Sequence, residues 1–137
     1  MAEALAAALL VALVTTRLLG LFQVRGVSML PALQEGDWIL ARRFLPWERP
    51  LKRQVVITVP VPSAKTLVKR VVLGPGDELP AAVEGTGSSL LAGEYLLQGD
   101  NQGKGEAITW IGPVARCQLW GRAWLVVWPL GRLRRVP

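Results

Sequence analysis

The stretch from Ala4 to Phe22, ALAAALLVALVTTRLLGLF, is 19 residues of almost unbroken apolar character. As a helix it spans about 28 Å at about 1.5 Å per residue, the thickness of a bilayer core. Its interruptions are mild. Thr15 and Thr16 can return their hydroxyls to helix carbonyls, and Arg17 lies late enough to reach the nearer interface with its guanidinium. A cleaved leader opens with positive charge and closes on a small-x-small site, whereas this chain opens Met-Ala-Glu and runs into Leu21-Phe22-Gln23. The segment is therefore expected to be a transmembrane anchor helix within residues 1–23, with a helix buried against the rest of the chain as the alternative.

Beyond Val24 the pattern changes period. Short runs rich in Val, Ile and Leu recur between Gly and Pro punctuation: Trp38 to Ala41, Val55 to Val59, Lys65 to Leu73, Glu94 to Gln98 and Gln118 to Trp128. Pro46, Pro50, Pro60, Pro62, Pro75 and Pro80 stand between these runs or at their edges, as strand-bounding prolines should. Residues 24–137 are thus expected to form one small, mainly β, antiparallel domain, barrel-like or sandwich-like. A chain of 137 residues has room for one such core and not comfortably for two. Trp120, Trp124 and Trp128 recur every four residues in the last run, and in an unbroken strand they share one face, suited either to a membrane interface or to a core.

Composition removes several chemistries. There is no histidine, which excludes Ser-His and Cys-His nucleophile systems and most catalytic metal sites. Cys117 stands alone, so no intrachain disulfide or Cys-x-x-Cys site can form, and it is expected to be a small buried hydrophobe. The net charge of +6 comes with no zinc-finger, helix-turn-helix or aromatic RNA-binding pattern, so a bilayer surface ranks ahead of nucleic acid as its partner.

Without histidine, a nucleophilic serine needs another base. A lysine serves if its pKa is brought from about 10.4 toward about 7 or 8, at a cost on the order of 3.4 kcal/mol, usually through apolar burial. Of the four lysines, Lys52 sits in a polar turn, Lys104 lies between two glycines, and Lys65 starts a strand beside a solvated turn. Lys69 alternates onto one strand face with Leu67 and Val71, an apolar setting for one amine. An edge-strand lysine that deters aggregation has the same pattern.

Three blocks stand in order along the chain: Gly26-Val27-Ser28-Met29-Leu30-Pro31-Ala32-Leu33, then Leu67-Val68-Lys69-Arg70-Val71-Val72 with Gly74-Pro75-Gly76-Asp77, then Gly99-Asp100-Asn101. Together they resemble the signature blocks of the type I signal peptidases, Ser-Lys membrane peptidases that cut signal peptides from exported preproteins. Gly121-Arg122-Ala123 and Trp128-Pro129 resemble that family's last strand. The resemblance implies Ser28 as nucleophile, Lys69 as general base and Met29 lining the site. Gly26 occupies a position where some relatives carry a hydroxyl donor to the oxyanion, so the oxyanion hole is expected to rest mainly on the Ser28 N–H. Arg70, Gly74, Gly76, Asp77, Gly99, Asp100 and Asn101 are implied to be structural residues near the site. The implied partners are preprotein signal peptides and membrane lipid, with no metal or cofactor.

The chain also departs from the family pattern. The family usually continues past Gly-Asp-Asn with a serine that hydrogen-bonds the lysine and an Asp-Ser-Arg run, where ungapped alignment sets Gly105 and Ala107-Ile108-Thr109. Thr109 or Thr66 is a candidate substitute. Lys52-Arg53-Gln54 likewise stands where an Arg-Gly-Asp lead is usual. The resemblance implies a catalytic domain on the outer membrane face, while Arg17, Arg25, Arg42 and Arg43 after the apolar run favour the cytoplasm by charge alone. The alternatives are a self-cleaving or processing Ser-Lys domain and a non-catalytic basic membrane-associated relative.

Overall fold

The computed structural model describes residues 1–60, 65–81, 83, 88–103 and 110–137. Helix α1 (Ala2–Leu18) leads into strands β1 (Leu19–Gln23), β2 (Trp38–Arg43), β3 (Val55–Thr58), β4 (Leu67–Leu73), β5 (Glu94–Gln98), β6 (Trp110–Ala115), β7 (Leu119–Trp128) and the short β8 (Arg134–Arg135). The strands form one antiparallel sheet in the order β1-β2-β7-β3-β4-β5-β6, with β8 on β7. The mainly β, antiparallel architecture is as expected, and no ladder joins β1 to β6 among the described residues.

The apolar run expected to be helical through Phe22 divides at Leu18, and its last residues enter the sheet. Leu19 to Gln23 pair with Arg42 to Trp38, and the Phe22 ring meets the Trp120 ring edge-on at 5.1 Å. A β-carbon at Gly20 would lie 2.8 Å from both rings, so Gly20 is the gap into which they close. Ladder bonds and ring packing at β1 outweigh the helical preference of its leucines. The helix keeps 17 residues, and among the described residues no helix is long and apolar enough to cross a membrane. The expectation of a transmembrane helix in the fold is corrected to that extent. None of the α1 residues is buried, so the alternative of a helix packed within the domain fails too.

Both faces of the sheet carry a core. Val55 and Ile57 of β3 pack with Ile39, Ala41, Met29 and Leu33 on one face, while Val56 packs with Val71, Tyr95 and Leu97 on the other. All four β3 residues are buried, as expected of a continuous apolar strand near the sheet centre. Each fully buried Val or Ile there contributes roughly 1.5–3 kcal/mol.

Two register shifts between β7 and β2 interrupt the alternation that was to align the tryptophans. Trp120 packs against the first core, while Trp124 and Trp128 are exposed, so the three do not act as one face. Cys117, expected to be buried, is exposed in the 3-10 turn Arg116–Gln118.

Candidate active site

The serine loop runs from Val24 to Asp37 and is closed at its base. The Val24 N–H donates to the Asp37 carbonyl at 2.8 Å, and the Gly36 N–H donates to the Val24 carbonyl at 2.9 Å. Met29 and Leu33 drive into the first core at 2% and 0% exposure, with the Leu33 N–H donating to the Met29 carbonyl. Ser28 is therefore half-buried between exposed Val27 and buried Met29. The Asp37 carboxylate, 1% exposed, takes the Gln34 N–H and both Nε and Nη2 of Arg132, each at 2.9 Å. Burial opposes its charge, but the hydrogen bonds from Arg132 and Gln34 and the charges of Arg132 and Arg134 outweigh that. The carboxyl titrates below its usual range.

Gly26 has φ +81° and open space where a β-carbon would stand, and its N–H donates to Glu35 Oε1 at 3.2 Å. Glycine there shapes the turn. The Ser28 N–H donates to no described residue.

Lys69 lies in the half of β4 that β5 leaves unpaired. β3 pairs with β4 from Leu67 to Arg70, whereas β5 joins only from Arg70, opposite Gln98. Among the described residues, no strand pairs with the outer edge of Leu67, Val68 and Lys69. Lys69 faces Val56 across the ladder, on the side of the second core, while the serine loop covers the first. Ser28 and Lys69 both line a cavity of about 150 Å³ at this end of β4, together with Met29, the Thr66–Val68 stretch and the Gln23–Arg25 segment. No hydrogen bond joins the Ser28 hydroxyl to the Lys69 amine. Burial alone lowers the pKa of that amine below its ordinary value.

The Gly99-Asp100-Asn101 block holds the serine loop against β4. The Asn101 N–H donates to the Ser28 carbonyl at 2.9 Å, and Asn101 Nδ2 donates to the Val27 carbonyl at 3.0 Å. A β-carbon at Gly99 would lie 2.5 Å from the Ser28 carbonyl oxygen, so only glycine fits so close an approach. Asp100 receives Arg70 Nε at 2.7 Å and Nη2 at 2.6 Å. Arg70 Nη1 also donates to the Arg53 and Pro137 carbonyls. The neighbour of Lys69 is thus tied to the neighbour of the residue that holds Ser28.

Gly74, Gly76 and Asp77 lie apart from this cavity, in the turn that ends β4. The Gly74 N–H donates to Asp77 Oδ2 at 2.8 Å, Gly76 takes φ +84°, and Lys52 pairs with Asp77 at 2.7 Å. The Gly74 N–H and Lys52 hold the Asp77 carboxyl below its usual pKa. The Lys52-Arg53-Gln54 departure keeps the shape of a glycine turn: Arg53 has φ +71° and Gln54 Oε1 accepts the Leu51 N–H at 3.0 Å. Gly105, Ala107, Ile108 and Thr109 lie outside the described residues, and Thr66 is the candidate hydroxyl found in the cavity. A larger cavity of about 470 Å³ behind Arg70 and Asp100 includes neither Ser28 nor Lys69. Sequence reasoning missed the roles of Asp37 and Arg132, 95 residues apart, because no local pattern links them. Gln23, Val24 and Arg25 had a signal in their closeness to Ser28.

Comparison with known proteins agrees with this arrangement at the level of family. No curated protein matches the chain. The family model described as "Signal peptidase, peptidase S26" matches residues 1–86, well over half of the chain, including both the serine loop and β4. The chain belongs to the signal peptidase family, peptidase S26.

Proposed function

We propose that the chain is a membrane-anchored serine endopeptidase that removes signal peptides from exported preproteins through a Ser28-Lys69 dyad. The observation that carries this reading is the single cavity lined by a half-buried serine and a lysine whose charge is disfavoured by burial. Neutral Lys69 Nζ takes the Ser28 hydroxyl proton as Oγ attacks the scissile carbonyl. The Ser28 N–H and solvent meet the oxyanion, since Gly26 has no side chain to contribute. The C–N bond breaks as Lys69 gives its proton to the leaving amine. Water deprotonated by Lys69 then attacks the acyl ester, and the expelled Oγ regains its proton.

The substrate lies extended in the cleft between the open edge of β4 and the segment that follows β1. Main-chain bonds to such an edge supply affinity while shallow pockets select side chains, and the preference for small residues before the cut comes from the family. The anchor in this reading is α1, about 26 Å long, with Leu5, Leu9, Leu10 and Val11 more than 60% exposed. The apolar β1 follows it, and the catalytic domain begins there. Anchoring makes the search for a lipid-held substrate effectively intramolecular. The domain lies on the outer face, where exported preproteins emerge, and protection of it from protease in right-side-out vesicles would reverse that assignment.

The deciding experiment measures preprotein cleavage by the purified chain in detergent. Ser28→Ala and Lys69→Ala are each expected to lower the rate by about a thousandfold or more with cooperative unfolding retained. Cleavage by both variants at the original rate would reject the dyad.

A further inference from the structure

We propose that the cavity at the foot of α1 binds the headgroup of an anionic phospholipid. The inference rests on the reading of α1 as a lipid-embedded anchor. The cavity, about 950 Å³, is framed by Arg17 at the end of α1, Arg43 at the end of β2 and Arg116 in the turn before β7, and no carboxylate among the described residues lines it. Arg116 is a fixed cation. Its Nε donates to the Glu48 carbonyl at 2.9 Å, Nη1 to Leu119 at 3.3 Å and Nη2 to Leu45 at 3.0 Å, and its guanidinium lies 4.8 Å from the Phe44 ring centre. Its charge is met by carbonyl oxygens rather than by an anion. Arg17 and Arg43 are exposed at the rim and make no ion pair among the described residues.

Two guanidiniums flanking a third that is already immobilised suit a phosphate diester, whose oxygens accept forked hydrogen bonds. The carbonyl end of the α1 dipole disfavours an anion, and Arg17 in its last turn offsets that. The surroundings select a lipid rather than a free anion. Leu18, Leu45, Pro46 and Val59 form apolar walls, and Trp47 beside them is 76% exposed, as expected of an indole at a headgroup boundary. The exposed apolar surface of α1 leads away from the same cavity, so one lipid molecule places its phosphate on the arginines and its chains along the helix. Charges that follow an apolar run thereby acquire a ligand.

The full chain is mixed with vesicles of phosphatidylcholine, or of phosphatidylcholine with one-third phosphatidylglycerol, and the bound fraction is measured by sedimentation. Each rim arginine near an anionic surface contributes about fivefold, so a gain of about 30-fold on anionic vesicles is expected for the pair. R17Q/R43Q should lose most of this gain while binding neutral vesicles as before. R53Q/R135Q removes the same charge from a separate pocket and should keep most of it. Equal losses in the two double variants would reduce the effect to net charge and overturn the site, as would an undiminished gain in R17Q/R43Q. Neutral binding without an anionic gain overturns the headgroup site alone, whereas no binding to either vesicle overturns it together with the anchor. Binding of inorganic phosphate through these arginines, with no gain on anionic vesicles, would make the occupant a free anion and overturn the lipid assignment.

Discussion

Replacing Gly99 by alanine tests whether the third sequence block holds Ser28, the proposed nucleophile, in place. The new β-carbon would stand 2.5 Å from the Ser28 carbonyl oxygen and 3.3 Å from both the Ser28 carbonyl carbon and its β-carbon. These atoms belong to backbone or to the root of a side chain, so no rotamer change relieves the contact. An ordinary contact of 3.4 Å, set against the 2.5 Å available, requires the Ser28 carbonyl to retreat by about 0.9 Å. That movement also strains the 2.9 Å bond from the Asn101 N–H. A displacement of about 1 Å at a reacting centre costs about a hundredfold in rate, and overpacking of this kind costs about 1–3 kcal/mol. Gly99→Ala is therefore expected to lower single-turnover cleavage of a preprotein about a hundredfold and to reduce Tm by several degrees. Gly103→Ala is the control, because among the described residues its β-carbon would meet only Asn101 Oδ1, at an ordinary 3.7 Å. Full activity and an unchanged Tm in Gly99→Ala would refute the idea that this close approach positions Ser28.

Burial lowers the Lys69 pKa, so the folded state is penalised while the amine is charged, and the penalty fades as pH rises from the folded pKa toward about 10.4. Lys69→Met should thus raise Tm at neutral pH by an amount that shrinks in alkali, and a pH-independent gain would contradict this. Asp37→Ala leaves Arg132 unpaired at the base of the serine loop, with an expected loss of roughly 2 kcal/mol in urea unfolding. The native Asp37 contribution is present above about pH 3.9 and disappears as pH falls through its lowered pKa. Arg53→Gly relieves a left-handed backbone, φ +71°, and should stabilise by about 0.5–1 kcal/mol; a lower Tm would show that Arg53 contacts matter more. Arg42 and the Leu45 N–H hold Glu48 at a pKa of about 2. Glu48→Gln should flatten the acid limb of the stability curve between about pH 4.5 and about pH 2, by less than about 1 kcal/mol because solvent screens the pair.

Strands that bury one face against a core were readable as runs. β5 occupies Glu94–Gln98 as expected, and β2, β3, β4 and β7 begin or end within two residues of their sequence limits. The strands that escaped notice carry contrary local signals. β6 contains Gly112 and Pro113, which read as a turn, yet an edge strand tolerates a residue without an N–H. β1 was hidden because its leucines extend the apolar period of α1, and only the distant Trp120 ring and the β2 ladder distinguish the two.

The site divides in the same way, between what a short pattern carries and what only three dimensions bring together. Ser28 and Lys69 stand in compact blocks because each needs particular immediate neighbours: Met29 to fix the loop in the core, and Arg70 to bind Asp100. Their common cavity depends on a different fact, the point at which β5 stops pairing with β4. Past Gln98 the chain turns from that ladder to hold the serine loop through Asn101, and this departure leaves the edge of Leu67, Val68 and Lys69 without a strand partner among the described residues. The same three residues, Gly99 to Asn101, therefore end one strand pairing and hold the Ser28 loop. A change that extended β5 onto Lys69 would lengthen the sheet and close the cavity, so the interrupted ladder is as necessary to the arrangement as the serine and the lysine.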